Sequence, residues 1–221
     1  MTFRMPSRKQ RRLLVKALRE YQSNVNLAAG FLTGRGIGKQ VAHKWGLGVA
    51  VSPAPSHELL AGRLVIPYVN KAEDSPVTGL TGRCLHDHDC DTEGHRKYMQ
   101  LPNQPTFLFN AAALDDQRAS TVHVCEGELD AILLSEVLSD PVVAVSGVDK
   151  WEPHWVAHFR GWERVVVWPD GDKAGKQMAS LWSRKIMCDV VSMPAGQDVT
   201  SLYLTEGIEA LRELAGGNDD D

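Results

Sequence analysis

The spacing of hydrophobic residues changes character along this chain, and the change marks its organisation. From Ser7 to Tyr21 the apolar positions Leu13, Leu14, Ala17, Leu18 and Tyr21 recur at helical intervals with basic residues between them, which predicts an amphipathic helix. Asn24 or Asn26 is placed to cap a second short helix running to Phe31. A glycine-punctuated turn from Thr33 to Gly38 follows, then a helical stretch to Trp45 that stops at Gly46. That turn has the spacing of a phosphate-binding loop, but no strand precedes it, so a dinucleotide site is not expected. From Arg63 the period becomes that of strands. Arg63 to Val69 and Val77 to Leu85 read as a hairpin across a polar turn, Asn70 to Ser75, suited to a small α+β domain.

Beyond residues 111–120, which read as a linker or short helix, strands and helices alternate. Apolar runs at 121–125, Val142 to Val145, 164–168 and Cys188 to Met193 predict buried strands. Helical segments over Leu129 to Leu138, near Pro153 to Phe159, and over Ala174 to Met187 separate them. Such alternation predicts a parallel sheet with right-handed crossovers. The expected fold is therefore α/β. A parallel sheet flanked by helices fills residues 111–215, a smaller basic α+β domain occupies 1–110, and an acidic tail covers 216–221.

The strand ends carry the candidate chemistry. The run Thr121 to Cys125 leads into Glu126, Gly127, Glu128 and, one turn on, Asp130; the run Arg164 to Trp168 leads into Asp170, Gly171 and Asp172. A further acid, Asp198, sits after a third apolar run. Taken singly, Asp172 or Glu128 reads as a helix-capping acid. Recurrence of strand, acid, glycine, acid points instead to a metal site on the edge where parallel sheets place their ligands. Oxygen ligands in this number suit Mg²⁺ or Mn²⁺ rather than zinc, and phosphodiester chemistry follows.

Charge sharpens this picture. The formal net charge of −4 hides +9 over residues 1–45, −2 over 46–110 and −11 over 111–221. A basic arm joined to an acidic half suits an enzyme that grips a polyanion while binding cations. Apolar runs fall short of membrane-spanning length, the basic start lacks the apolar stretch of a secretory signal, and four cysteines are too sparse for a disulfide framework. A cytoplasmic location and no membrane partner are expected. The segment Cys84 to Cys90, with His86, His88 and the later His95, holds zinc-type ligands but no CxxC pair, so a solvated loop is expected and structural zinc is not. His123, Cys125 and Cys188 read as core, and Trp151, Trp155 and Trp162 as packing against the sheet.

Several short segments, in order, resemble one family. Glu126 to Ala131, the Gly147 loop, and Asp170-Gly171-Asp172 with Ala174-Gly175 resemble the Toprim domain shared by DnaG-like primases, topoisomerases and certain nucleases. Upstream, Arg35-Gly36-Ile37 with Trp45 to Gly48 is similar to the "RGI…GLG" segment of DnaG-like primases, and Arg63 to Pro67 to their "RxxFP" strand. Gly79 to Arg83 resembles "GFGGR", Lys97-Tyr98-Met99 resembles "KYL", Phe107 to Asn110 resembles "LFNK", and Ala195 to Asp198 with Leu202 to Leu204 resembles "GKDPDEYL". The likeness runs from about residue 31 to 205. It departs at Thr200, Gln100 and Ala111, where the family has an acid, an asparagine and a lysine.

What the resemblance implies is a Toprim-type sheet and a primase catalytic core, of phage or mobile-element origin, that makes short RNA primers on single-stranded DNA. Glu126, Asp170 and Asp172 would be catalytic and metal-binding, with Asp130 and Asp198 completing the Mg²⁺ or Mn²⁺ set. Arg63, Arg83, Lys97 and Tyr98 would meet template or nucleoside triphosphate. The family's zinc ribbon has no counterpart here, so a separate zinc-binding subunit and a replicative helicase are the expected partners. A Toprim nuclease or a nucleic-acid-binding accessory subunit remains open. A topoisomerase is not expected, since its tyrosine nucleophile sits in a separate large domain for which this sequence is too short.

Overall fold

A computed structural model of the chain describes residues 6–70, 76–86, 88–116, 118–146 and 151–216. The chain divides into two compact units, at residues 1–105 and 106–221.

The first unit is a helix laid on an antiparallel sheet. Helix α1 (Arg8–Gln22) begins at a capping box: the Gln10 amide donates to Ser7 Oγ at 3.3 Å while the Ser7 amide donates to Gln10 Oε1 at 2.8 Å. Leu14, Ala17, Leu18 and Tyr21 bury that helix against Ala50, Leu60, Val65, Val77 and Leu80. Leu13, expected on the same face, is instead 58% exposed, because at helical pitch it falls outside the stripe set by the other four. The expected second helix is a 3-10 turn, Val25–Ala28, followed by α2 (Ala29–Thr33), and the Asn24 side chain makes no cap. Helix α3 (Lys39–Lys44) ends at Gly46, whose φ of 67° is left-handed.

The sheet runs in the order β1 (Gly48–Val49), β2 (Leu64–Val69), β3 (Val77–Arg83), β4 (Tyr98–Gln100). The two short outer strands were not foreseen. Gly48 has no alternative in β1, since a Cβ there would strike the backbone of Tyr21. The Tyr21 hydroxyl is shared by the Ala54 amide, which donates to it at 2.8 Å, and His57 Nδ1 at 2.9 Å. The hairpin turn expected at Asn70 to Ser75 lies, beyond Asn70, outside the described residues.

The second unit alternates as the sequence predicts. Its elements are β5 (Thr121–Cys125), α4 (Glu128–Val137), β6 (Val142–Ala144), α5 (Trp155–Phe159), β7 (Arg164–Trp168), α6 (Lys173–Ser183) and β8 (Asp189–Val190). The sheet is parallel throughout, in the order β6-β5-β7-β8, so β5 and β7 are neighbours, with Cys125 opposite Trp168. On one face Val122, Val124, Val165 and Val167 pack with Trp155, Phe159, Met178 and Trp182. The opposite face carries α4. Cover on both faces is why these strands are apolar without alternation.

The last strand and its helix are shorter than expected: α6 stops at Ser183, Met187 is 95% exposed, and β8 is a two-residue edge. Two C-terminal helices, α7 (Val199–Glu206) and α8 (Ile208–Ala215), were not predicted from sequence; both pack on α4. Ahead of the sheet, Phe109 bridges to Ala144 on the free edge of β6, and Asn110, at φ 55°, donates from Nδ2 to the Val142 carbonyl at 2.8 Å. The region from Ala111 to Asp115 is a 3-10 helix. Among the described residues no helix is long and apolar enough to cross a membrane.

Tyr21→Phe should lower stability by about 1–3 kcal/mol, because the Ala54 amide loses a buried acceptor. Denaturant unfolding of the full chain measures this, and a smaller loss would mean that water replaces the hydroxyl.

Candidate metal and catalytic centre

Three segments converge on the carboxyl edge of the parallel sheet. The first is the β5–α4 turn, where Glu126 follows the last strand residue and Gly127 stands at the helix N-cap. Asp130 lies in the first turn of α4, and a Cβ on Gly127 would sit 3.1 Å from its Oδ2, close enough that the carboxylate would have to shift by a few tenths of an ångström. The second is the β7–α6 turn. Asp170 lies two residues past Trp168, and Asp172 caps α6, accepting from the Gly175 amide at 2.8 Å.

The third is the loop before α7. It is strapped to the second turn by two backbone bonds, Gly171 amide to Gln197 carbonyl at 2.7 Å and Gly196 amide to Gly171 carbonyl at 2.9 Å. A Cβ on Gly171 would collide with the Pro194 carbonyl, so this contact exists only with glycine there. Asp198 then caps α7, accepting from the Ser201 amide at 2.7 Å. Asp198 follows the third apolar run as the sequence shows, and it stands at the start of α7, beyond β8.

The five anticipated carboxylates feel one another. Burial pushes the Asp170 carboxyl up to about 8, and the charges of Asp130, Glu126, Asp198 and Asp172 push in the same direction. Burial, then Asp130 and Asp170, also holds the Cys125 thiol well above its ordinary range, which suits a core residue and not a nucleophile. Helices α4, α6 and α7 all begin at this edge, and their N-termini partly offset the negative charge. Hard oxygen donors crowded until one must take up a proton are a fit for Mg²⁺ or Mn²⁺, which would replace that proton.

Two neighbouring residues gain partners that the sequence does not disclose. Thr200, the position where the family has an acid, donates to Asp130 Oδ1 from its hydroxyl at 2.8 Å and from its amide at 3.2 Å. Glu128 is not an N-cap but the first helical residue of α4; it is 1% exposed and accepts from Ser146 Oγ at 2.9 Å. No sequence signal marks either, because both partners are distant in the chain. Gly147 and Val148 lie outside the described residues.

The core residues fall as expected. His123 accepts at Nδ1 from Trp168 Nε1 at 2.9 Å, and burial lowers its pKa to about 4 against the opposing effect of Asp140, so it is neutral. Trp151 and Phe159 pack edge-on against Trp182, at 5.0 and 5.2 Å between ring centroids.

The four expected substrate contacts lie in the first unit, and the structure places them unequally. Lys97 is exposed. Arg63 is half-buried and donates to the carbonyls of Arg96 at 3.0 Å and Lys97 at 3.3 Å. Arg83 is only 4% exposed: it donates to the Cys84 carbonyl, and its Cζ lies 4.9 Å from the Phe31 ring centroid and 5.3 Å from that of Tyr98. Arg35 shares the Phe31 ring at 4.9 Å. The loop is solvated as expected at His86, His88, Asp89 and residues 91–94, but its two thiols, Cys84 and Cys90, are buried, at 4% and 7%. Ligand atoms of Cys84, His88, Cys90 and His95 lie within 4.8 Å of one another; His86 is not among them.

A family model described as Toprim-like matches residues 123–203. The Gene 57 protein of Mycobacterium phage D29 is 33% identical over 155 residues, covering 69% of this chain and 97% of that protein. A DNA primase of Listeria monocytogenes is 25% identical over 197 residues, covering 83% of this chain; the chain spans only 30% of that primase's length. Among solved structures, the RNA polymerase domain of Mycobacterium tuberculosis primase DnaG superposes with a TM-score of 0.76 at 20% identity, over 95% of this chain and 84% of that one. A DnaG primase catalytic domain bound to single-stranded DNA gives 0.72 at 20% identity, over 93% and 80%.

The raised Asp170 pKa carries a signed prediction. In the metal-free folded state the carboxyl holds its proton to about pH 8, whereas unfolded it ionises near about 4. The folded state therefore binds more protons across that window, and the contribution to stability is full below about pH 4 and lost as pH rises to about 8. Without added divalent cations, Asp170→Asn should melt several degrees above wild type at pH 8 and near it at pH 4. Mg²⁺ or Mn²⁺ should raise the wild-type melting point at pH 8 and leave the variant's unmoved. Equal melting points at pH 8 would contradict the crowding of charge.

Proposed function

We propose that this chain, which belongs with the Gene 57 protein of Mycobacterium phage D29 and carries a Toprim-like region at residues 123–203, is a DnaG-like primase core that synthesises short RNA primers on single-stranded DNA by nucleotidyl transfer. The observation that carries this reading is the carboxylate edge, where four acids together with burial hold Asp170 up at about 8. Divalent ions held there by Glu126, Asp170 and Asp172 would supply neutralisation of the triphosphate and activation of the attacking 3′-oxygen.

The chain's own residues do the rest. Glu126, Asp170 and Asp172 are the proposed catalytic ligands. Asp130, fixed by Thr200, and Asp198, fixed by Ser201, complete the set and hold its shape. In the first unit Lys97 and Arg63 are the proposed phosphate contacts. Arg83 and Tyr98 support the reading differently from the sequence expectation, the buried guanidinium holding the ring that stacks on nucleotide. Helix α1 offers Arg8, Lys9, Arg12, Lys16 and Arg19 on its exposed side, a sequence-independent grip on the template backbone.

A Toprim nuclease would use the same carboxylates. The similarity to a DNA primase over 83% of the chain, including the unit that precedes the sheet, favours synthesis. Single-stranded DNA, nucleoside triphosphates, a separate zinc-binding subunit and a replicative helicase are the proposed partners, in the cytoplasm where the DNA is copied.

Purified chain incubated with labelled ribonucleotides, Mg²⁺ or Mn²⁺ and single-stranded DNA should yield oligoribonucleotides, more readily with a short RNA primer than without. Asp170→Asn and Glu126→Gln should each reduce product by more than about 100-fold, as expected for loss of a charge that acts at the transition state. Template degradation without synthesis would reassign the chain as a nuclease, and binding with neither activity as an accessory subunit. Replacing Lys9, Arg12 and Lys16 together by Ser should weaken template binding and flatten its log–log salt slope by about 2, given about 0.7 per phosphate contact on a single strand. An unchanged slope would show that α1 does not touch the template.

A further inference from the structure

The loop joining β3 to β4 is folded around sulfur and nitrogen. Cys84 directly follows β3, and its amide donates to the Lys97 carbonyl at 2.9 Å, extending the strand pairing to the loop's base. Asp89 organises the middle, accepting from the Asp91 amide at 3.0 Å and Thr92 Oγ1 at 2.9 Å. Gly94, at φ 73°, turns the chain, and the His95 amide donates to the Cys90 carbonyl at 2.9 Å. These bonds return His95 to the two thiols. Cys84 Sγ lies 3.6 Å from His88 Nε2, and His88 Nε2 lies 2.9 Å from His95 Nε2.

The sulfur–nitrogen separation matches that of one ion, and the two nitrogens, now at hydrogen-bond distance, need to part by only about 0.4 Å to share it. A tetrahedral zinc with Zn–N of about 2.0–2.1 Å and Zn–S of about 2.3 Å has ligand edges of about 3.3 Å between nitrogens and about 3.6 Å between nitrogen and sulfur. His95 is also oriented for the purpose. Its Nδ1 is 3.2 Å from the Arg96 carbonyl, which can only accept, so the proton sits on Nδ1 and the Nε2 lone pair faces the cluster. The guanidinium of Arg63 lies farther from the same Nδ1, at 3.5 Å, the longer and weaker of the two contacts. Two thiols buried in a loop otherwise rich in exposed polar residues have no packing rationale as strong as ligation.

We infer that Cys84, His88, Cys90 and His95 form a structural zinc site that ties the end of β3 to the start of β4. Four protein ligands close the coordination sphere, which marks a structural and not a catalytic ion, and mixed thiolate and imidazole donors select zinc over Mg²⁺ or Mn²⁺. The site lies wholly within the first unit and is independent of the proposed activity. Its local consequence is to fix the two residues that follow His95, Arg96 and Lys97, on whose carbonyls Arg63 rests.

The full chain, purified in reductant without chelator, should carry about one zinc per molecule by elemental analysis. Metal-stripped, reduced protein titrated with Co²⁺ should develop the visible bands of a tetrahedral ion and a thiolate charge-transfer band, saturating near one equivalent. Cys90→Ser and His95→Ala should each abolish stoichiometric zinc, whereas Asp170→Asn should retain it, which separates this site from the carboxylate edge. If either ligand variant fails to fold, the wild-type cobalt spectrum still decides the matter, as it does if zinc is lost in purification. An octahedral cobalt spectrum without thiolate charge transfer would overturn the inference. So would a tetrahedral spectrum that survives Cys90→Ser, or a Cys84–Cys90 disulfide in the isolated protein.

Discussion

Like charges held close together in a partly dry place must be compensated, and the carboxyl edge of the parallel sheet is organised around that requirement. Glu126, Asp130, Asp170, Asp172 and Asp198 would relax apart if their backbones allowed it. They cannot, because each is fixed by an element that the core fixes first: adjacent strands β5 and β7, and the first turns of α4, α6 and α7. The helix N-termini, the amides of Gly175 and Ser201, and the amide and hydroxyl of Thr200 supply partial positive charge at the same edge. Burial first, and then the charge they leave uncompensated, push the Asp170 carboxyl up to about 8.

Close approach is the second half of the same arrangement. Gly171 lets the loop at 194–198 lie against the β7–α6 turn, and two backbone bonds hold it there. Gly175 lets the first turn of α6 close over Asp170, whose backbone a Cβ would strike. Thr200 shows how a departure from the family pattern is absorbed. Where the resembled "GKDPDEYL" motif has an acid, this chain has a donor that binds Asp130, a hydrogen bond that orients its neighbour in place of a further negative charge.

The basic unit follows a different logic. Its charges are carried at the surface by α1, while Arg83 is drawn inside and held between the rings of Phe31 and Tyr98. A guanidinium tolerates that position because it is weakly hydrated, stacks on aromatic faces and finds a carbonyl at Cys84. The Cys84–His95 loop beside it repeats in miniature the theme of ligands brought together by backbone bonds, with soft donors in place of hard ones.

Local pattern determined much of this. The apolar runs specify the strands and their burial, the alternation specifies a parallel sheet, and the acid-glycine-acid turns specify which edge gathers the carboxylates, because period and turn chemistry are properties of adjacent residues. Tertiary structure decided what depends on residues far apart. It shortened β8 at an exposed edge, added α7 and α8, whose apolar positions make sense only against α4, and made Asp198 the cap of α7. It paired Asp130 with Thr200 and Glu128 with Ser146, contacts that no spacing rule encodes. It also buried Cys84 and Cys90 beside two histidines, since a loop's side chains meet only once its backbone bonds have set the curve.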